Sequence, residues 1–332
     1  MRDFQQGRQR DYRDSRQPPR RGFRGGERGD SNRARPSAPP MNEDQKNFFA
    51  GVPIDPAPRI RLEEGSSELT VRALDLICPI GRGQRGLIVA PPGSGKTTFL
   101  KDICHAVSKG FPDIKLYCLL IDERPEEVTD FRRTVHADVR WSSSDESYDN
   151  HIRVADELMR EAYRDAAAGK HVMVMIDSLT RLSRVHNAER QSSGRTLSGG
   201  VDARALEIPR RIFGSARNIE NGGSLTILAT ILVDTGSRMD QMIFEEFKGT
   251  GNMEVYLSRE IAGQRVYPAI DIAQSATRKE LQLIGLDEFE KVSLLRRVLL
   301  EMGKVESAKI LVSQLQKYPN NAALLAAIQP QK

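Results

Sequence analysis

The sequence lacks several features that would each have pointed elsewhere. No stretch approaches the roughly eighteen consecutive apolar residues of a spanning helix, so no membrane span is expected. The opening residues, Met1-Arg2-Asp3-Phe4-Gln5, form no apolar leader, which predicts a protein that is not secreted. Only three cysteines occur, Cys78, Cys104 and Cys118, without CxxC spacing. They support neither a disulfide framework nor a zinc site, and they suit a reducing cytoplasm. The five histidines show no metal-ligand spacing, and no internal repeat is present.

What is there is ample material for a core. The 332 residues are 39% hydrophobic and 29% charged, which excludes wholesale disorder and fits two domains, or one large domain with appendages. The net charge of +5 is unevenly spread. Residues 1–40 hold eleven Arg against five acidic residues, a local excess of +6 that leaves the rest at −1. Residues 1–48, rich in Arg, Gly, Gln, Ser and Pro, have almost nothing aliphatic to bury and are expected to be a disordered tail. Its guanidinium groups, with Phe4, Tyr12 and Phe23 among them, resemble RGG-type segments that combine phosphate attraction with base stacking. A solvated linker is the alternative.

After a connector over 49–75, the pattern predicts an α/β core over 76–280 and a helical segment over 281–332. Leu87–Ala90, Leu116–Ile121, Val172–Ile176 and Leu225–Val233 are apolar runs, the last broken only by Thr226 and Thr230, and are expected as buried strands. Between them, Ile152, Ala155, Met159, Ala162, Tyr163 and Ala166 fall on one face of a helix over 149–168. Such alternation implies a mostly parallel sheet covered on both faces.

The strongest motif is Ala90-Pro91-Pro92-Gly93-Ser94-Gly95-Lys96-Thr97-Thr98, placed between a predicted strand and a predicted helix, as a phosphate-binding loop requires. Gly93 and Gly95 let backbone N–H groups wrap phosphates, Lys96 reaches the β- and γ-phosphates, and the Thr97 hydroxyl ligates Mg²⁺. Ala90 stands where the strict pattern has Gly. Asp177, leaving the strand over 172–176, is the expected second magnesium anchor. Glu123, expected just beyond a strand ending at Ile121, is placed to act as general base toward water, while Glu126 and Glu127 read as helix-start carboxylates.

Ile121-Asp122-Glu123-Arg124-Pro125-Glu126-Glu127-Val128, together with Pro79 to Arg85, Asp177 to Arg184, Ser193 to Leu206 and Glu245 to Arg259, resembles the bacterial transcription termination factor Rho family. The resemblance runs from about residue 51 to 316. It implies a RecA-like P-loop NTPase forming a homohexamer, an RNA-dependent ATPase and helicase using ATP and Mg²⁺ and threading single-stranded RNA. RNA polymerase follows as a partner from the resemblance alone. Rotary and secretion ATPases share the Pro79–Arg85 motif but usually place Gly-Glu-Arg where this chain has Asp122-Glu123-Arg124.

At matching positions the resemblance makes Glu123 the catalytic carboxylate, Arg124 a γ-phosphate sensor and Arg278 the finger supplied to a neighbour's nucleotide. Gly81, Arg82, Gly83, Gln84, Arg85 and Gly86 approach the nucleotide, as do Ser94 and Thr98, and Tyr267 stacks on adenine. Arg195, Thr196 and Ser198 fall in one channel loop and Arg238 in another, with Arg where Lys is expected, and Lys248 couples the channel to the nucleotide. The chain departs from the family at Gly93, where many members carry Lys. It also departs in residues 1–50, which lack the alternating apolar strands of an OB-fold RNA-loading domain, so the Arg/Gly tail is expected in its place. A ring ATPase moving another substrate, a regulatory RNA-binding subunit of a full-length factor, and an inactive paralogue remain as other readings.

Overall fold

The computed structural model describes residues 41–191, 202 and 204–328. In chain order the first elements are α1 (Glu43–Phe49), β1 (Pro53–Ile54), β2 (Arg59–Ile60), α2 (Leu69–Ile77) and β3 (Ile80–Gly81). The central alternation follows: β4 (Arg85–Ala90), α3 (Lys96–Gly110), β5 (Ile114–Glu123), α4 (Pro125–Thr134), β6 (Asp138–Ser143), α5 (Tyr148–Ala167), β7 (His171–Asp177) and α6 (Leu179–Gln191). Next come α7 (Glu207–Gly214), β8 (Arg217–Ile219), β9 (Ser224–Leu232), α8 (Arg238–Phe247), β10 (Met253–Tyr256), α9 (Arg259–Gly263) and β11 (Ala276–Thr277). The last helices are α10 (Glu280–Ile284), α11 (Leu286–Leu300), α12 (Lys304–Lys317) and α13 (Asn321–Ala326).

The main sheet runs β11-β10-β4-β9-β7-β5-β6. Its five central pairings are all parallel; β11 joins antiparallel at the edge, and β8 pairs antiparallel with the start of β9 and with β1. Burial alternates along each strand. Ile88, Ala90, Cys118, Leu120, Met173 and Met175 face a core shared with α2, α3, α11 and α12. Leu87, Val89, Leu119, Ile121, Val174 and Ile176 face the opposite core, under α5, α6, α7 and α8. Both strand faces are therefore dry, which is why these segments read as unbroken apolar runs. All parallel strands present their carboxyl ends at one edge, where ligands of such sheets bind.

Three details differ from the sequence expectations. The expected tail ran to residue 48, yet residues 43–49 form α1. Asn42 caps it, Phe48 is buried, and Phe48 and Phe49 pack on Tyr163. The rest of that tail lies outside the described residues. The expected helical segment 281–332 holds four helices among its described residues, α10 to α13: Gly285, at φ 76°, turns the chain between α10 and α11, and Gly303 caps α12. Finally, β5 extends to Glu123 instead of stopping at Ile121. No helix among the described residues is long and apolar enough to cross a membrane.

Candidate nucleotide site

The loop between β4 and α3 leaves the carboxyl edge of the sheet. Gly95 immediately precedes α3 at φ 87°, a conformation that L side chains rarely adopt. A Cβ there would also stand 3.2 Å from the Tyr267 ring, a tight contact that the half-exposed ring would have to ease by a small shift. Ser94, expected to touch nucleotide, is buried instead. Its hydroxyl donates to Pro91 O at 2.8 Å and closes the loop from within.

Lys96, on the first turn of α3, reaches between two neighbouring strand ends. Its Nζ stands 3.2 Å from Glu123 Oε1 and also donates to Asp177 Oδ1. Both carboxylates are nearly inaccessible, at 3% and 4% exposure. Burial pushes the Glu123 carboxyl above its ordinary value and the Asp177 charge adds to this, against the opposing pull of Lys96 and Arg181. Burial works against the Lys96 ammonium, but the two carboxylates outweigh it and hold its pKa above the usual value. Lys96 and Glu123 line a cavity of about 410 Å³, together with Gly93, Thr97, Thr98 and Arg124, and Asp177 stands behind Lys96, bonded to its ammonium. Tyr267, 46% exposed, lies against the loop at Gly95.

The aim of Glu123 comes from a bulge. The pairing of β5 with β6 shifts between Ile121 and Glu123, and Asp122 between them sits at φ 56°. That left-handed position accounts for the glycine that rotary and secretion ATPases usually carry there. Arg181 on α6 steadies the bulge. It donates to Asp122 O, stands 3.4 Å from the Asp122 carboxylate and 3.4 Å from Glu123 Oε2. Sequence reasoning gave Arg181 no role, although it follows Asp177 by one helical turn. It also missed Thr230, whose hydroxyl donates to Asp177 Oδ1 at 2.8 Å from inside an apolar strand.

Other expected residues lie elsewhere. Gly81 to Gly86 do not join the cavity within one chain, because they lie where β4 begins, at the far edge of the sheet. Arg82 pairs there with Asp113 at 2.7 Å. Gln84 and the Arg85 N–H both donate to Asn252 Oδ1, and Arg278 N–H donates to Asn252 O. The exposed Arg278 guanidinium donates to Gly249 O at 3.1 Å. Arg85 is held below its usual pKa by burial and then by the nearby Arg278 charge. The far edge therefore presents two arginines together.

Arg238 is exposed at the start of α8, behind the turn Asp234-Thr235-Gly236-Ser237. Asp240 anchors that turn, accepting from Thr235 Oγ1 at 2.5 Å and from Arg184 Nε at 2.7 Å. Lys248 is exposed, its Nζ 5.5 Å from the Phe244 ring centre. Arg195, Thr196 and Ser198 lie outside the described residues.

Magnesium fits what is present. Thr97 on the cavity and Asp177, one bond behind it at Lys96, supply hard oxygen donors, and among the described residues no group of three His, Cys, Asp or Glu forms a cage of its own. A nucleotide magnesium takes one or two protein oxygens and completes its shell with phosphates and water.

Comparison with known proteins agrees with this geometry. Residues 70–277 match the ATP synthase alpha/beta family, nucleotide-binding domain. Transcription termination factor Rho of Haemophilus influenzae is 50% identical over 273 residues, 81% of this chain and 65% of that protein. Rho of Karelsulcia muelleri is 46% identical, covering 86% and 75%, and Rho of Escherichia coli K12 is 48% identical, covering 85% and 68%. The chain thus spans about two thirds to three quarters of the length of these relatives. Among solved structures, a prototypical ATPase from the type III secretion system of pathogenic bacteria superposes with a TM-score of 0.67 at 23% identity, covering 82% of this chain and 84% of the other. The assembled ATPase EscN of enteropathogenic E. coli gives 0.66 at 23%, covering 82% and 70%. These two share the RecA-like fold expected from the sequence. By the extent and identity of these matches, the chain belongs to the transcription termination factor Rho family.

Proposed function

We propose that this chain is an RNA-dependent ATPase and helicase of transcription termination, hydrolysing ATP between subunits of a homohexameric ring. The observation that carries the reading is the placement of Lys96 and Glu123 on one cavity, with Asp177 bonded to Lys96 beside it and Arg278 at the opposite edge of the same sheet. Nucleotide phosphates outcompete the two carboxylates for the Lys96 ammonium, which leaves Glu123 free to orient water and take its proton. Burial, by raising the Glu123 pKa, makes it a stronger base than an exposed glutamate. Thr97 and Asp177 would hold the magnesium, which supplies charge neutralisation at the β- and γ-phosphates when bound. Arg124 borders the same cavity and is assigned to the γ-phosphate, and Tyr267 offers a ring to the base.

Arg278, together with Arg85 and the Gly81–Gly86 turn, serves the nucleotide of the adjacent subunit. A planar guanidinium suits charge spread over equatorial oxygens. Arg238 and Lys248, with Arg195, Thr196 and Ser198, are assigned to the RNA side, and the Arg-rich residues 1–40 to an electrostatic RNA tether. Residues 76–280 act as the ATPase core and 281–332 as its helical appendage. Three free thiols fit a cytoplasmic location, where RNA polymerase would be met.

The test is steady-state ATP hydrolysis with and without single-stranded RNA, beside Glu123→Ala. Stimulation by RNA that the variant loses supports the reading. Hydrolysis indifferent to RNA points to another translocated substrate, and none from folded protein points to a regulatory subunit.

A further inference from the structure

Strand β9 lies at the centre of the sheet, between β4 and β7, and most of it is apolar: Leu225, Ile227, Leu228, Ala229 and Ile231 are all fully buried. A hydroxyl in such a strand is costly unless it is bonded. Thr226 accepts from the Gly83 N–H at 2.9 Å, at the far edge of the sheet. Thr230, 0% exposed, lies toward the carboxyl edge and bonds toward the neighbouring strand. Its Oγ1 donates to Asp177 Oδ1 at 2.8 Å, with Ile176 O more distant at 3.3 Å. Valine has the same shape and strand preference, so the hydroxyl is what distinguishes threonine here.

Asp177 Oδ1 has two donors among the described residues, Lys96 and Thr230. Lys96 is committed to phosphate once nucleotide arrives. Thr230 is then the donor that remains, and it comes from the rigid middle of the sheet. We propose that Thr230 is a positioning residue: its hydroxyl pins Asp177 Oδ1 toward β9 and so presents the other carboxylate oxygen, Oδ2, to the magnesium of the bound nucleotide. This rests on the reading of Asp177 as the magnesium anchor. Groups that orient a metal ligand in this way typically contribute roughly 10–100-fold to metal affinity.

The experiment is isothermal titration of the non-hydrolysable analogue AMP-PNP into the wild type, Thr230→Val, Thr230→Ala and Thr230→Ser, each in Mg²⁺ and in EDTA. The wild type and Thr230→Ser are expected to bind more tightly in Mg²⁺. Thr230→Val and Thr230→Ala are expected to lose roughly tenfold or more of the Mg²⁺ affinity while their EDTA affinities stay at the wild-type value. Equal Mg²⁺ affinity in the hydroxyl-free variants overturns the inference. So does an equal loss in EDTA, which is what general damage to the loop would give. A wild type whose affinity ignores Mg²⁺ overturns instead the underlying reading of Asp177, and is told apart by the wild-type titration alone.

Discussion

Lys96 and Arg278 flank opposite ends of one strand. Lys96 follows the carboxyl end of β4, whereas Arg278 bonds through Asn252 and Gly249 beside Arg85, where β4 begins. Six strand residues at about 3.3 Å each separate the two by at least about 15 Å. An arginine so placed stands away from the phosphates assigned to its own Lys96, which is what its proposed service to an adjacent copy requires.

Mixed rings test this directly. Lys96→Ala and Arg278→Ala are each expected to lower kcat by roughly a thousandfold or more. Equal mixtures, allowed to exchange subunits, should recover part of the activity, because some interfaces then pair an intact Lys96 with an intact Arg278. A mixture no more active than its components would refute the division between subunits.

The Glu123 shift sets a pH dependence. A carboxyl raised by burial keeps its proton to higher pH, so the base form disappears as pH falls through that raised value rather than through the ordinary 4.5. The acid limb of kcat should therefore lie above the usual carboxylate range. Glu123→Gln should remove that limb and reduce kcat by roughly 10²–10⁴-fold. A wild-type limb at the ordinary glutamate value would contradict the burial argument.

Asp122 offers a test of geometry apart from chemistry. At φ 56°, Asp122→Gly removes steric strain while giving up the ion pair with Arg181, and hydrolysis should stay within a few-fold of wild type. Asp122→Val places a β-branched side chain in the left-handed region, should swing Glu123 away, and should lower kcat by at least about tenfold. Nucleotide affinity, read separately, should change little in either.

The Arg-rich tail should show itself in salt dependence. Removing residues 1–40 takes away eleven arginines while leaving α1 in place, and for every RNA phosphate they neutralise the slope of log affinity against log salt should flatten by about 0.7 on single-stranded RNA. Fluorescence anisotropy across salt concentrations checks this. An unchanged slope would make the tail a linker.

Much of the site was legible because its residues sit in local motifs. A glycine-rich loop between strand and helix, and a carboxylate at the end of an apolar run, are written in contiguous residues whose spacing reflects backbone geometry. Arg181, Asp122 and Thr230 were not legible, for different reasons. Arg181 is one of two arginines in Asp177–Arg184, and only the packing of α6 on the end of β5 selects it. Asp122 hides its left-handed backbone, since Asp tolerates that region without requiring it. Thr230 is one more β-branched residue in a strand, and its hydroxyl has meaning only because β7 lies alongside.

The sequence by itself determined the alternating parallel core, the glycine-rich loop between strand and helix that carries Lys96 and Thr97, and the strand-end positions of Glu123 and Asp177, because periodicity and short motifs are local properties of the chain. Tertiary structure alone decided which side chains share the cavity, how the Asp122 bulge aims Glu123, and that Arg278 and Gly81–Gly86 stand at the other edge. Those relations depend on strand order and register among segments as far apart as Arg85 and Arg278, and no local pattern encodes a strand's neighbour.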